Sequence, residues 1–262
     1  MTTFTCIAAA SVHTATDPLW AGAVPTANRR RDPRIWQMAH VAVARLFATT
    51  AIRPASIISA TALGALDETK NYLDGIFAEN LGSPRNFIAS VHNSMAGKLA
   101  IDFAITGPNL TVCDGPNSLA SALAAAALLD PCDFPLLVVA VDEQIELLLR
   151  LAPYCAPQCQ SLLVSNVYEG AAAFLLTTDS GSTSIAADAP RLCGGFSIDQ
   201  RWEQIMRGYP GATSVHPNQT NRSFVHAALT TVSMINDTAI AKAVIGSYSP
   251  ASDSIAAVVI SR

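Results

Sequence analysis

The sequence predicts an α/β protein whose sheet is covered by helices on both faces, and three observations carry that expectation. β-prone runs alternate with segments of helical periodicity along the first two thirds of the chain. Residues 55–60 (ASIISA) and 136–141 (LLVVAV) are short, small or apolar runs with β-branched residues at their centres and no polar face, the pattern of strands buried on both sides. Half of the 262 residues are hydrophobic and only 14% are charged, enough to bury a large core without staples and to hide surface against a partner.

In chain order, residues 3–11 form a first strand. The opening MTTFTCIAAAS lacks a basic n-region and does not read as a signal peptide. Residues 17–33, rich in Pro, Gly, Asn and Arg, are predicted as a long loop. Asp32 and Pro33 give an N-cap and a first helical proline, and Ile35, Met38, Ala39, Ala42 and Leu46 follow at helical spacing. Arg53-Pro54 ends that pattern ahead of the strand at 55–60. Leu66, Leu73, Ile76 and Phe77 define the next helix, stopped near Asn80-Leu81-Gly82 by a left-handed cap, and Ser83-Pro84 caps a short one.

Residues 92–105 are helical, with Ser94, Ala96, Gly97 and Ala100 small enough for close approach to another backbone. A strand at 109–113, a helix at 116–129, a strand at 136–141 and a helix at 143–151 follow. Residues 153–160 are a loop, 169–178 a strand and Ser180-Gly181-Ser182 a turn. Residues 191–198, 243–247 and 254–261 are further strands, a weak echo of the first set without a sequence repeat.

Composition excludes several classes. Apolar runs such as 118–129 and 134–141 fall short of the roughly 18 residues of a membrane span, so none is expected and the chain reads as cytoplasmic. A net charge of −4 argues against a nucleic-acid footprint. Arg29-Arg30-Arg31 is a local exception, either a solvated loop or a contact for an anionic carrier protein or phosphopantetheine. The six irregularly spaced cysteines read as reduced thiols. Cys155 and Cys159 could make half a zinc site, but no second pair accompanies them, so no metal is expected.

The turn Cys113-Asp114-Gly115-Pro116-Asn117-Ser118 joins a strand to an alanine-rich helix, where many α/β enzymes put a nucleophile. Cys113 reads as a buried inert thiol in the strand, and Ser118 as a cap or packing residue with no base identifiable beside it. His92 precedes a helix that Asn93 or Ser94 can cap, leaving the imidazole for structure, interface or chemistry. His13 and His40 look ordinary, and His216 and His226 suggest surface or helix-packing roles.

Four segments in order, RDPRIWQMAHVAVA at 31–44, HNSMAG at 92–97, GPNLTV at 107–112 and EGAAAFLL at 169–176, resemble motifs of the β-ketoacyl synthases, especially their N-terminal half. The resemblance implies a thiolase-like layered α-β-α architecture. It implies one domain over 1–262, with a core at 1–178 and a shortened C-terminal portion at 179–262. In that family a cysteine thiolate at a helix N-terminus takes an acyl group from a carrier protein and condenses it with a decarboxylated malonyl unit. Along the family's GPSLTVDTAC pattern the nucleophile position falls on Pro116, which keeps the helix start and removes the chemistry. No catalytic residue is therefore expected, with Cys113 and His92 as fallback candidates.

The chain is similar to the cysteine-free chain-length factors of aryl polyene-type ketosynthase heterodimers, which serve fatty acid or polyketide chain elongation. That likeness implies pairing with a Cys-containing ketosynthase and contact with acyl carrier protein through the complex, with no cofactor, metal or nucleotide bound. His92, Asn93, Ser94, Met95, Asn109, Leu110, Thr111, Val112, Cys113, Asp114, Gly115, Pro116 and Asn117 would form interface and tunnel wall. The alternatives are a small thiolase-fold acyltransferase or condensing enzyme using Cys113, and a homodimeric acyl-binding or scaffold protein.

Overall fold

The computed structural model describes residues 2–155, 169–188, 197–220, 226–249 and 253–262. Among them, strands β1 (Thr3–His13), β2 (Ser56–Thr61), β3 (Asn109–Cys113), β4 (Leu136–Asp142), β5 (Gly170–Thr177), β6 (Ser184–Asp188), β7 (Thr213–Val215), β8 (Lys242–Ser249) and β9 (Ser254–Ser261) form a mixed sheet. Its order is β3-β2-β4-β5-β1-β6-β9-β8-β7. The principal helices are α1 (Arg34–Thr49), α2 (Leu66–Glu79), α3 (Pro84–Ser90), α4 (Ser94–Asp102), α5 (Ser118–Ala126), α6 (Glu146–Leu151), α7 (Ile198–Met206) and α8 (His226–Asn236).

The C-terminal strands repeat the pairing of the N-terminal ones. β2 and β4 are parallel, β4 and β5 antiparallel, and β5 and β1 antiparallel; β7 and β8, β8 and β9, and β9 and β6 follow the same sequence of senses. The two sets join through the antiparallel β1–β6 pair. Among the described residues, the C-terminal set has no counterpart of β3, which extends the first set by pairing parallel with β2. The echo expected from sequence is thus a topological one.

Helices separate the two sets. α1 and α4 cover one face of the first, with Met38, Ala42, Leu46, Met95 and Leu99 against Ile57, Leu137, Val139 and Ala173. α5 and α8 lie on its other face and also against β9, joining Leu119, Leu123, Leu229 and Val232 to Val138, Phe174, Ile185 and Val258. α7 closes the far side through Trp202 and Ile205 on Val244, Ile255 and Val259. β2, β4 and β5 lie between helical layers, which is why their sequences lack a polar face. Truncating a wholly buried side chain such as Leu123 costs about 2–5 kcal/mol here.

Several boundaries differ from expectation. Residues 17–33 contain a short 3-10 turn at Trp20–Ala23 and a helical turn at Thr26–Arg29, pinned where the Arg29 guanidinium donates to the carbonyls of Gly22 and Val24. α1 starts one residue late: Pro33 is its N-cap, while Asp32 turns toward Lys98 at 3.6 Å. The expected 116–129 helix begins as a 3-10 turn at Gly115–Asn117 and ends at Ala126, and the 143–151 helix begins at Glu146. Residues 191–196 and Cys159 lie outside the described residues. Ile198 opens α7 and not a strand end, because Ser197 and Gln200 make a reciprocal capping box. A Cβ at Gly97 would meet nothing within 4 Å, so no backbone approaches there and the helix is held by Met95, Ala96 and Leu99 instead.

Candidate functional site

β2, β3 and β4 run parallel and end together, with Thr61 paired to Cys113 and Ala60 to Ala140. Open α/β sheets assemble their sites at this carboxyl edge. Beyond Cys113 the chain turns through Asp114 and through Gly115, whose φ of +52° suits glycine. It then enters the 3-10 turn that buries Pro116.

The polar side chains of this turn are spent on holding it. Ser118 Oγ donates toward the carbonyls of Thr61 (2.9 Å) and Gly115 (2.7 Å) and accepts from the Asp114 N–H at 3.0 Å. Ser121 Oγ donates to Asp114 Oδ2 at 2.5 Å. Buried Asn117 ties the turn to the C-terminal strands: its Nδ2 donates to Ser254 Oγ at 2.9 Å, and its Oδ1 accepts from Ser247 Oγ at 2.7 Å. Ser118 is therefore a structural clasp with no base on its hydroxyl.

Cys113 is exposed, contrary to the buried thiol expected from sequence. The physical reason is topological: β3 is the outermost strand, and no described strand lies beyond it. Partial burial and the nearby negative charge of Asp142 push its thiol up, the wrong direction for a nucleophile. Asn109 and Leu110 are exposed on the same strand, Thr111 and Val112 are half-buried, and Thr111 Oγ1 lies 2.7 Å from Ser59 Oγ.

His92 belongs to the same end of the sheet. A Cβ on Gly64 (φ +60°) would come within 2.6 Å of the imidazole, so only glycine lets His92 lie over the loop that follows β2. Asn93 makes no side-chain cap, against expectation; Ser94 Oγ instead donates to the Ile88 carbonyl at 2.5 Å, and Met95 is buried. His40 Nδ1 lies 3.2 Å from Asp102, and His216 Nε2 lies 3.3 Å from Asp199.

Two acids at the end of β4 escaped the sequence reading. Asp142 is fully buried and accepts from Thr61 Oγ1 (2.7 Å) and from the N–H groups of Ala62 (2.9 Å) and Leu63 (3.0 Å), which fixes the loop beneath His92. Burial pushes its carboxyl up to about 6, against the pull of those donors. Glu143 beside it is pushed up to about 8, chiefly by burial and then by neighbouring acids. The consecutive acids closing the apolar run VVAV were the only local signal.

Layered helices around two joined strand sets, with a strand–turn–helix at the carboxyl edge, define a thiolase-like ketosynthase fold. The chain belongs to the β-ketoacyl synthase N-terminal domain family, which it matches over residues 8–191. No curated protein matches the sequence. Solved structures with the same fold include the ketosynthase ApeO in complex with its chain length factor ApeC from Xenorhabdus doucetiae, at 16% identity over 100% of both chains and a TM-score of 0.63. The ishigamide ketosynthase/chain length factor matches at 13% identity over 99% of both chains, TM-score 0.72. AntDE:AntF, a type II PKS acyl-carrier protein in complex with its ketosynthase bound to the hexaketide, matches at 11% over 99% of both chains, TM-score 0.66. Among the described residues no helix is long and apolar enough to cross a membrane.

Proposed function

We propose that this chain is a non-catalytic, chain-length-factor-like subunit that pairs with a Cys-containing ketosynthase in the cytoplasm and shapes the channel for a growing acyl chain. The observation that carries the reading is Pro116, buried at the family's nucleophile position in a turn whose Asn117 and Ser118 side chains are committed to structure. Proline offers no nucleophile, and losing one from a covalent enzyme costs around a millionfold.

The open edge of β3 supports pairing. Leu110 on the strand, Ile101 on α4 and Leu128 just past α5 are exposed apolar side chains on elements that flank that edge. A bare strand edge with apolar neighbours invites a second sheet. On the same reading acyl carrier protein meets the complex near Arg30 and Arg31, where the Arg85 guanidinium donates to both main-chain carbonyls and brings a further cation to that segment.

Exposed Cys113 favours the alternative of a small acyltransferase. Co-expression with a Cys-containing condensing subunit, then intact mass after incubation with an acyl-carrier thioester, separates the two. A stable complex with the acyl group on the partner supports pairing. An acyl adduct on this chain, lost in Cys113→Ala, would establish the alternative, and a stable homodimer that ignores the condensing subunit would favour a scaffold.

A further inference from the structure

Glu143 is largely buried, 8% exposed, and its carboxyl has no hydrogen-bond or ion-pair partner among the described residues. Its neighbours make matters worse: Asp67 and Glu68 in the first turn of α2 and Glu169 before β5 lie in its field, opposed by Arg34. That arginine is already engaged, since its Nε and Nη2 both hold the Glu169 carboxylate and its guanidinium lies 5.0 Å over the Trp20 ring. Arg85 acts on Glu68. A buried carboxyl so placed either keeps its proton or meets a cation.

The adjoining surface is uncovered and apolar. α2 buries none of its described side chains, and Leu73, Phe77, Leu81, Phe87 and Ile88 on α2, α3 and their connection are exposed, Phe77 by 82%. Tyr72 and Phe87 meet across the helix pair in a tilted contact, ring centroids 5.4 Å apart, giving it a defined aromatic surface. An apolar helix pair whose first turn carries acids acting on a largely buried carboxyl has the make-up of a protein docking surface with a polar anchor.

We propose that Glu143 receives an arginine side chain from a protein that docks across α2 and α3. This rests on the pairing reading above and adds to the β3 edge a second contact, on α2 and α3, with its own chemistry. Arginine fits because its guanidinium stays charged, is weakly hydrated and spans more than one carboxylate at once. Among the described residues no three His, Cys, Asp or Glu side chains are arranged to hold a metal ion, so the acids do not read as a metal site.

Carboxyl carbon NMR of the full chain tests the recess without a partner, with ethylguanidinium as probe and tetramethylammonium as control. Ethylguanidinium should lower the Glu143 titration midpoint by about one pH unit, a tenfold loss of proton affinity, and the control should not. Asp67→Asn should lower the midpoint without any probe, and Glu143→Gln should remove the signal. A midpoint that ignores ethylguanidinium, or answers both cations alike, overturns the proposal.

Calorimetry with the condensing subunit, in buffers of different protonation enthalpy, then reads the docking. Wild type should release a proton on association at neutral pH and Glu143→Gln should not. A complex without proton release refutes the anchor and leaves pairing standing. A guanidinium response with no complex upholds the cation recess and refutes pairing with that subunit.

Discussion

Asn117→Leu should destabilise the protein by about 2–4 kcal/mol, because Asn117 is what fastens the former nucleophile turn to the C-terminal strands. The substitution keeps the number of side-chain heavy atoms and their branched shape and adds bulk, so no cavity forms. It removes the donation from Nδ2 to Ser254 Oγ at 2.9 Å and the acceptance from Ser247 Oγ at 2.7 Å. The Ser247 hydroxyl, in a residue only 4% exposed, keeps a single long contact to the Ala256 carbonyl at 3.4 Å. Each buried polar group stripped of its partner costs about 1–3 kcal/mol. For a chain of this size about 3 kcal/mol lowers Tm by roughly 6–12 °C. Urea titration followed by circular dichroism supplies the measurement, with Ser254→Ala as a milder companion. A loss below about 0.5 kcal/mol would refute the view that the turn is held from the C-terminal half.

Other consequences follow from the same geometry. Leu110→Lys on the open edge of β3 should leave the Tm of the lone chain within about 2 °C and weaken association with a condensing subunit at least tenfold, read by analytical ultracentrifugation. Asp142→Ala removes the acceptor for three donors around the loop after β2 and should cost about 3–5 kcal/mol in a denaturant titration; recovery of most of it by Asp142→Asn would speak against an ionic role. Glu143 has a carboxyl raised from 4.5 to about 8, so the folded chain holds a proton that the unfolded chain gives up. Its ionisation penalty is absent below pH 4.5, grows as pH rises and is complete above about 8. Glu143→Gln should therefore gain stability relative to wild type across that window, by at most about 5 kcal/mol, and a flat difference between pH 5 and 9 would contradict the assigned burial.

Local pattern was enough for much of the fold. The bounds of β3 and β9 match their sequence reading, the φ of +50° at Asn80 ends α2 where a left-handed cap was expected, and Ser83 Oγ accepts from the Asn86 N–H at the start of α3. β6 and β7 were missed because SIAAD and TSV are short and mostly small or polar, and they become strands only through β1, β9 and β8 beside them.

The exposure of Cys113 could not be read locally, since NLTVC would look the same as an inner strand; its place at the sheet edge is set by strand order. Likewise the acids around Glu143 come from α2, the end of β4 and the residue before β5, and no sequence window contains them. Pro116 was legible as a missing nucleophile, whereas the binding of Asn117 to Ser247 and Ser254 across about half the chain was not.

The most direct measurement of the central claim is intact mass spectrometry of the chain co-purified with a Cys-containing condensing subunit and offered an acyl-carrier thioester. The expected spectrum shows the acyl mass on the partner and an unmodified chain carrying Pro116. An acyl adduct on this chain, at Cys113 or elsewhere, would contradict the assignment of the turn as a structural support for chemistry done in another subunit.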